Sequence, residues 1–125
     1  MSLENAESLS SVINCDELLT RCLNNIEFAE RILALFQNRC GEDLTDLELA
    51  FDRGDMDSVR RLSHRLAGAS ANAAAFGLQA CAANVRHAVS DGSIDQARQR
   101  LHELRGEWQR FTSAMSTAQQ SLETN

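Results

Sequence analysis

One histidine in this sequence stands where its type and its neighbours favour chemistry. His64 lies within the run Arg60-Arg61-Leu62-Ser63-His64-Arg65-Leu66-Ala67-Gly68. A neutral imidazole nitrogen is nucleophilic near neutral pH. Such a group must be reached by its reaction partner, so the surrounding elements have to hold it at a surface.

The spacing of apolar residues around His64 predicts a helix that presents the imidazole outward. The apolar positions recur every three or four residues, as on one face of an α-helix. They are Val59, Leu62, Leu66, Ala69 and Ala73. At about 100° per residue, His64 lies roughly 200° from Leu62 and from Leu66, on the opposite face. We therefore expect His64 to be a solvent-exposed nucleophile that another protein reaches.

Small residues follow His64 on its own face, at Gly68 and Ala71. Glycine in a helix interior costs about 1 kcal/mol relative to alanine. The neighbouring turns are rich in alanine, which would serve equally well if helix propensity alone mattered. Gly68 therefore indicates a place where a partner approaches the backbone closely.

Charge is distributed unevenly along the chain. The net charge is −6, which argues against a nucleic-acid partner. Residues 53–100, however, hold four acidic residues and seven arginines, and this net basic segment carries His64. A basic surface around an exposed histidine would attract an acidic partner or a phosphoryl group. The alternative interpretation is that these arginines are scattered over the surface and solvated, with no role in binding.

Length and composition favour one soluble helical domain. The chain has 125 residues, 43% of them hydrophobic and 24% charged, with no proline and only 5% aromatic. No run is long enough for a membrane span, and Met1-Ser2-Leu3-Glu4 lacks the character of a signal peptide. We expect a cytoplasmic protein.

The cysteines carry no evident chemistry. Cys15, Cys22, Cys40 and Cys81 form no Cys-x-x-Cys pair and have no histidine at the spacing of a zinc ligand. Cys40 and Cys81 continue apolar stripes, so buried reduced thiols are predicted. No metal or cofactor is expected.

Helical periodicity and turn residues divide the chain into a short helix followed by four longer ones. The predicted helices cover about residues 14–23, 26–52, 56–73, 78–90 and 94–115. Residues 1–12 are predicted as a tail or short helix, and residues 117–125 as a disordered tail. Short connections between the long helices predict an all-α fold, an antiparallel up-and-down four-helix bundle over residues 13–116 with a short additional N-terminal helix.

The run from His64 to Asn72, with Leu78 ten residues after Gly68, resembles the histidine-containing phosphotransfer (HPt) domains of multistep two-component relays. Their motif is His-x-Leu-Lys-Gly followed by small residues. The resemblance implies that His64 accepts a phosphoryl group from a receiver-domain aspartate of a hybrid sensor kinase and passes it to a response regulator. It also implies a monomeric phosphocarrier that is not itself an enzyme, since the receiver supplies the magnesium and the acidic pocket, and it favours Nε2 as the reacting nitrogen.

The sequence departs from the motif at three positions. Ala67 stands where the family usually has lysine, Ala74 where it often has glycine, and Arg86 where glutamate is common. The lysine matters most, because a cation there would stabilise the phosphoryl group. Its candidate substitutes are Arg60, Arg61 and Arg65. Arg60 is the best placed, one turn before His64 on the same face.

Other interpretations remain open. His102-Glu103-Leu104-Arg105 resembles the core of the histidine-kinase dimerisation helix, but Gly106-Glu107 follows instead of Thr-Pro, so we interpret it as coincidence. His87 lies off its helix's apolar stripe and is expected to be merely exposed. A ferritin-like metal site would need Glu-x-x-His pairs, and none is present. The main alternative is a helical adaptor that binds receiver or kinase domains without transferring phosphate.

Overall fold

The computed structural model describes the backbone of residues 7–123 and the side chains of residues 9–118. Every regular element in that range is an α-helix, which confirms the predicted all-α class. The helices are α1 (Glu7–Ser10), α2 (Cys15–Arg21), α3 (Ile26–Asp52), α4 (Met56–Asn72), α5 (Phe76–Ser90) and α6 (Ile94–Glu123). None of the described helices has the length and apolar character needed to cross a membrane.

Side-chain caps start the two helices that precede and carry the histidine. Asn25 accepts a hydrogen bond from the Phe28 N–H at the start of α3. Asp55 accepts one from the Ser58 N–H at the start of α4, which confirms the predicted capping aspartate. The hydrogen bonds from Ser58 also lower the pKa of the Asp55 carboxyl. Both helix starts are thus encoded locally.

The four longer helices pack in chain order. α4 packs against α3 on one side and α5 on the other, and α5 packs against α6. Side chains then connect α6 to α3: Arg105 bonds to Glu48 at 2.9 Å. About three turns earlier along α3, Phe36 packs edge-on against Phe111 of α6, with ring centroids 5.3 Å apart. Phe36 is buried, as predicted.

The last helix is longer than predicted. α6 was expected to end near Met115, but it continues to Glu123. Nothing after Gly106 breaks the helix, since the sequence there has neither glycine nor proline, and Ala118 is buried in the core. Residues 117–123 of the predicted tail are thus described as part of α6, whereas residues 124–125 lie outside the described residues.

The predictions for the N-terminal residues and for the apolar seam of α6 were confirmed in part. Residues 7–10 of the predicted tail or short helix form α1, and residues 1–6 lie outside the described residues. Ile94 was assigned to the apolar seam of α6 but is 43% exposed, because it sits at the very start of that helix. Elsewhere in the seam, Leu104 and Phe111 are fully buried.

The four thiols are unbridged. Cys40 is buried, as predicted, and burial raises the pKa of its thiol to about 12. It therefore stays protonated at neutral pH. Cys81 was also predicted to be buried but is only partly so, packed against the core.

Ala74 closes α4 in a conformation that suits glycine. Its φ is +58°, in the left-handed region. The Ala75 N–H donates to the Ser70 carbonyl at 2.8 Å and the Ala74 N–H donates to the Ala71 carbonyl at 3.1 Å. These are the two bonds of a Schellman motif, in which glycine commonly occupies the position of Ala74. The Cβ of Ala74 therefore carries strain.

We expect Ala74→Gly to raise the free energy of unfolding by about 0.5–1 kcal/mol. Removing Cβ relieves about 1–2 kcal/mol of left-handed strain, partly offset by the larger entropy of glycine in the unfolded chain. Urea unfolding measures the change. Ala73→Gly is the control, because Ala73 has φ −87° and should lose stability instead. An equal loss in the two variants, which remove the same buried methyl group, would show that the strain at Ala74 is negligible.

Candidate functional site

The imidazole of His64 is exposed in the middle of α4. The opposite face of the helix is buried, with Val59 and Leu66 fully enclosed and Leu62 4% exposed. Among residues 9–118, no side chain forms a hydrogen bond or ion pair with His64. The ring is thus held by its helix alone and is open to an incoming partner, as the apolar spacing predicted.

The surface beside His64 at Gly68 is empty. A Cβ atom built on Gly68 would meet nothing within 4 Å outside its own helix. Gly68 is one turn after His64 on the exposed face, so it is not required for packing within the chain. A glycine there leaves bare backbone next to the imidazole, where another molecule can approach.

Arg65 is bound by a buried carboxylate on α3. Asp43 has a side chain only 4% exposed, and it accepts two hydrogen bonds from Arg65, at 2.7 Å from Nη2 and 3.1 Å from Nε. These bonds raise the pKa of the Arg65 guanidinium. The pair also shows which side of α4 faces α3. Because His64 precedes Arg65 by about 100° around the axis, it is turned away from α3 and toward the α5 side of the exposed face.

The other two predicted arginines lie on either side of the histidine. Arg60 is exposed and makes a long surface ion pair with Asp57, at 3.4 Å between residues of one helix turn. Exposed pairs of this kind contribute little, so the guanidinium can exchange partners. Arg61 is also exposed, and it lines a shallow cleft between α3 and α4 together with Asp46 and Arg65. Of the predicted cations, Arg60 lies closest to the α5 side of the helix.

The predicted small residues, Ala67 and Ala71, lie on the α5 side of the site. Ala67 is partly buried and packs against the core, so its short side chain offers no charge at this position. Ala71 is also partly buried, and its carbonyl accepts a hydrogen bond from Arg21 Nη1 at 2.6 Å. The Arg21 guanidinium lies 5.8 Å from the centre of the Phe76 ring. Arg21 thereby ties α2 to the end of α4.

An apolar groove runs along the α3 side of α4, one turn beyond Gly68. Its volume is about 310 Å³, and the α4 residues that line it include Ala69 and Ala73. Across from them, α3 contributes Ile32 and Leu35, and Leu35 is 66% exposed. The exposed histidine and an exposed apolar surface are therefore carried by the same helix.

Three polar residues near the site are buried in ways that sequence reasoning missed. Ser63 and Ser70 are fully buried on the inner side of α4, and Asp43 is buried on α3. The Ser63 hydroxyl donates to the Arg60 carbonyl within its own helix. For Asp43, its position within the apolar stripe of α3 was a signal of burial. Asp43 follows Cys40 by three residues and directly precedes Leu44.

The remaining histidines lack these surroundings. His87 and His102 are both exposed, as expected for His87. Arg86 Nη2 lies 3.4 Å from His87 Nε2. His102 is on α6, which packs against α5 rather than α4. In the described part of the chain, no three histidine, cysteine or carboxylate side chains cluster as metal ligands would.

The arrangement suits a group transfer between proteins. An exposed imidazole lies in the middle of α4, with bare backbone beside it and arginines on the same helix. A phosphoryl group placed on such a ring would project into solvent, within reach of a second protein. The surrounding guanidinium groups would favour its negative charge.

Solved structures with a similar fold include one from maize and one from rice. The histidine-containing phosphotransfer protein ZmHP2 from maize has a TM-score of 0.72 and 20% identity, over 94% of this chain and 96% of that one. A putative histidine-containing phosphotransfer protein from rice has a TM-score of 0.71 and 21% identity, over 90% of this chain and 91% of that one. No match is found among curated proteins.

The family comparison covers the site itself. The model of the Hpt domain matches residues 31–114, which include most of α3, all of α4 and α5, and α6 as far as Ala114. This is well over half of the chain, and His64 and Gly68 both lie within it. The chain therefore belongs to the Hpt domain family.

Proposed function

We propose that the chain is a histidine phosphotransfer protein whose phosphorylation site is His64. The observation that carries the proposal is the exposure of this imidazole on α4, with open space beside it at Gly68, in a chain of the Hpt family. The donor is an aspartyl phosphate on the receiver domain of a hybrid sensor kinase. The acceptor is the corresponding aspartate of a response regulator.

The transfer consists of two displacements at phosphorus. In the first, the lone pair of an imidazole nitrogen, proposed to be Nε2, attacks the phosphoryl group while its bond to the receiver's aspartate breaks. The aspartate leaves as a carboxylate, and the other ring nitrogen keeps its proton. In the second, the aspartate of the response regulator attacks and the N–P bond breaks. The receivers supply magnesium and an acidic pocket, so this chain acts as a phosphocarrier rather than as an enzyme.

The fold and setting belong to the same proposal. Helices α3 to α6 form an up-and-down four-helix bundle, and α1 and α2 add a short N-terminal extension to it. Arg21, which binds the end of α4, is the contact that supports this role for α2. We place the protein in the cytoplasm as a monomer, where one exposed histidine serves both receivers in turn.

A direct test is to mix the chain with a receiver domain that has been loaded with radioactive acetyl phosphate and magnesium. We expect the label to move to this chain in a form that is labile in acid and stable in base, as phosphohistidine is. A stable complex without transfer of label would favour the alternative function, a helical adaptor for receiver or kinase domains. The absence of both binding and label would contradict either function.

A further inference from the structure

We infer that Arg86, from the neighbouring helix α5, supplies the cation that Ala67 cannot supply to the phosphoryl group on His64. The inference rests on the proposed phosphorylation of His64. It concerns a residue outside the run around that histidine, and it makes the phosphoryl-binding surface a joint product of α4 and α5.

The first argument is the supply of cations. The chain contains no lysine, so any side-chain cation beside the phosphoryl group, apart from histidine, must be an arginine. Seven of the twelve arginines pair with carboxylates. Within residues 9–118, the other five form no ion pair with a carboxylate; these are Arg31, Arg39, Arg53, Arg61 and Arg86. Four of them are exposed, and Arg86 alone is partly buried.

The second argument is the side of α5 on which Arg86 lies. The α6 side of this helix is marked by Gly77, where an added Cβ would lie 2.6 Å from Glu107 Oε2. Arg86 follows Gly77 by nine residues, which at about 100° per residue places it roughly 180° away. α4 is the other long helix against which α5 packs extensively, and Arg86 is partly buried on the side away from α6, so we place it next to α4.

The third argument is height along the helices. α4 and α5 are antiparallel and are joined by the turn around Ala74. His64 is ten residues before that turn and Arg86 is twelve after it. At about 1.5 Å per residue, the two positions differ in height by about 3 Å. Packed helices lie about 8–10 Å apart, a gap that an arginine side chain extending along the seam can cross.

The orientation of His64 completes the argument. The Arg65–Asp43 pair marks the α3 side of α4, and His64 is turned the other way, toward α5. Ala67 lies on that same side, about 200° from Arg65, and leaves the position without charge. Within residues 9–118, the Arg86 side chain contacts His87 Nε2 at 3.4 Å, a weak contact that a phosphoryl oxygen would readily replace.

Phosphorylation by phosphoramidate tests the inference without a receiver domain. We expect Arg86→Gln to react about tenfold more slowly than the natural chain, because it loses one charge-assisted contact at a solvent-exposed site. The double variant Arg86→Gln with Ala67→Lys should recover most of the rate, because it returns a cation to the same side of the histidine. Arg31→Gln is the matched control. It removes the same charge from an exposed site roughly 20 Å along α3 from the Asp43 pair and should change nothing.

A second measurement reports on contact rather than rate. In nitrogen-15 NMR spectra, the Nε–H resonance of Arg86 should shift when His64 is phosphorylated, whereas that of Arg31 should not. An unshifted Arg86 resonance would overturn the inference. A normal rate in Arg86→Gln together with a slow rate in Arg60→Gln would also overturn it, and would assign the cation to Arg60. A slow Arg86→Gln variant that Ala67→Lys does not restore would show a structural role and would equally overturn it. If the natural chain takes no label, the proposed function fails first and this inference with it.

Discussion

His64→Gln should accept no phosphoryl group from a labelled receiver domain, a loss of at least about a hundredfold in incorporation. Glutamine keeps the length and polarity of the side chain, but its amide nitrogen is not a nucleophile. Because the ring makes no hydrogen bond or ion pair within the described side chains, its removal should leave the fold unchanged. Acid-labile, base-stable label per mole of protein is the measurement, with circular dichroism to verify folding.

The other two histidines provide the control for this prediction. His102 is exposed on α6 within the run that resembles a histidine-kinase motif. His102→Gln should retain full incorporation, and so should His87→Gln. Loss of label in the His102 variant, with retention in the His64 variant, would move the phosphorylation site to α6.

Gly68→Gln is expected to separate function from folding. A Cβ atom added at Gly68 meets nothing within 4 Å, and the position is exposed, so we expect the fold to accept a side chain there. Replacing glycine in a helix interior should raise the free energy of unfolding by about 0.5–1 kcal/mol. The same side chain stands one turn from the imidazole and blocks the approach of a receiver, so we expect transfer to fall by more than about tenfold. Rapid-quench transfer assays and urea unfolding measure the two effects.

Gly106→Gln is the matched control for Gly68. Gly106 also lies within a helix, is exposed and has nothing within 4 Å of an added Cβ, but it belongs to α6. The Gly106→Gln variant should gain the same free energy of unfolding and keep the full transfer rate of the natural chain. Equal transfer in the two glutamine variants would show that the backbone beside His64 is not approached by the partner.

Local signals in the sequence account for most of the helix that carries the site. Three-to-four spacing located α4 and its buried face, and Asp55 marked its start, because a capping aspartate acts within one turn of its own position. The exposure of His64 follows from the same periodicity. In each case the deciding interaction lies within a few residues along the chain.

Contacts between distant residues were beyond such reasoning. Periodicity places Asp43 beside a buried stripe but does not say that Arg65, on the next helix, will pair with it. For the same reason, the sequence alone makes Arg65 a candidate phosphoryl-binding cation, although its guanidinium is bound by Asp43 on the α3 side. The length of α6 was missed because its polar C-terminal residues resemble a tail until Ala118 is seen in the core.

The central claim is that a phosphoryl group resides on His64, and locating that group on the chain tests it most directly. The chain would be phosphorylated by a labelled receiver domain, and phosphorus-31 NMR and tandem mass spectrometry at alkaline pH would then identify the modified residue. We predict one phosphohistidine resonance and one modified peptide, the one containing His64. A phosphoryl group on His87, on His102 or on a carboxylate, with His64 unmodified, would contradict the account.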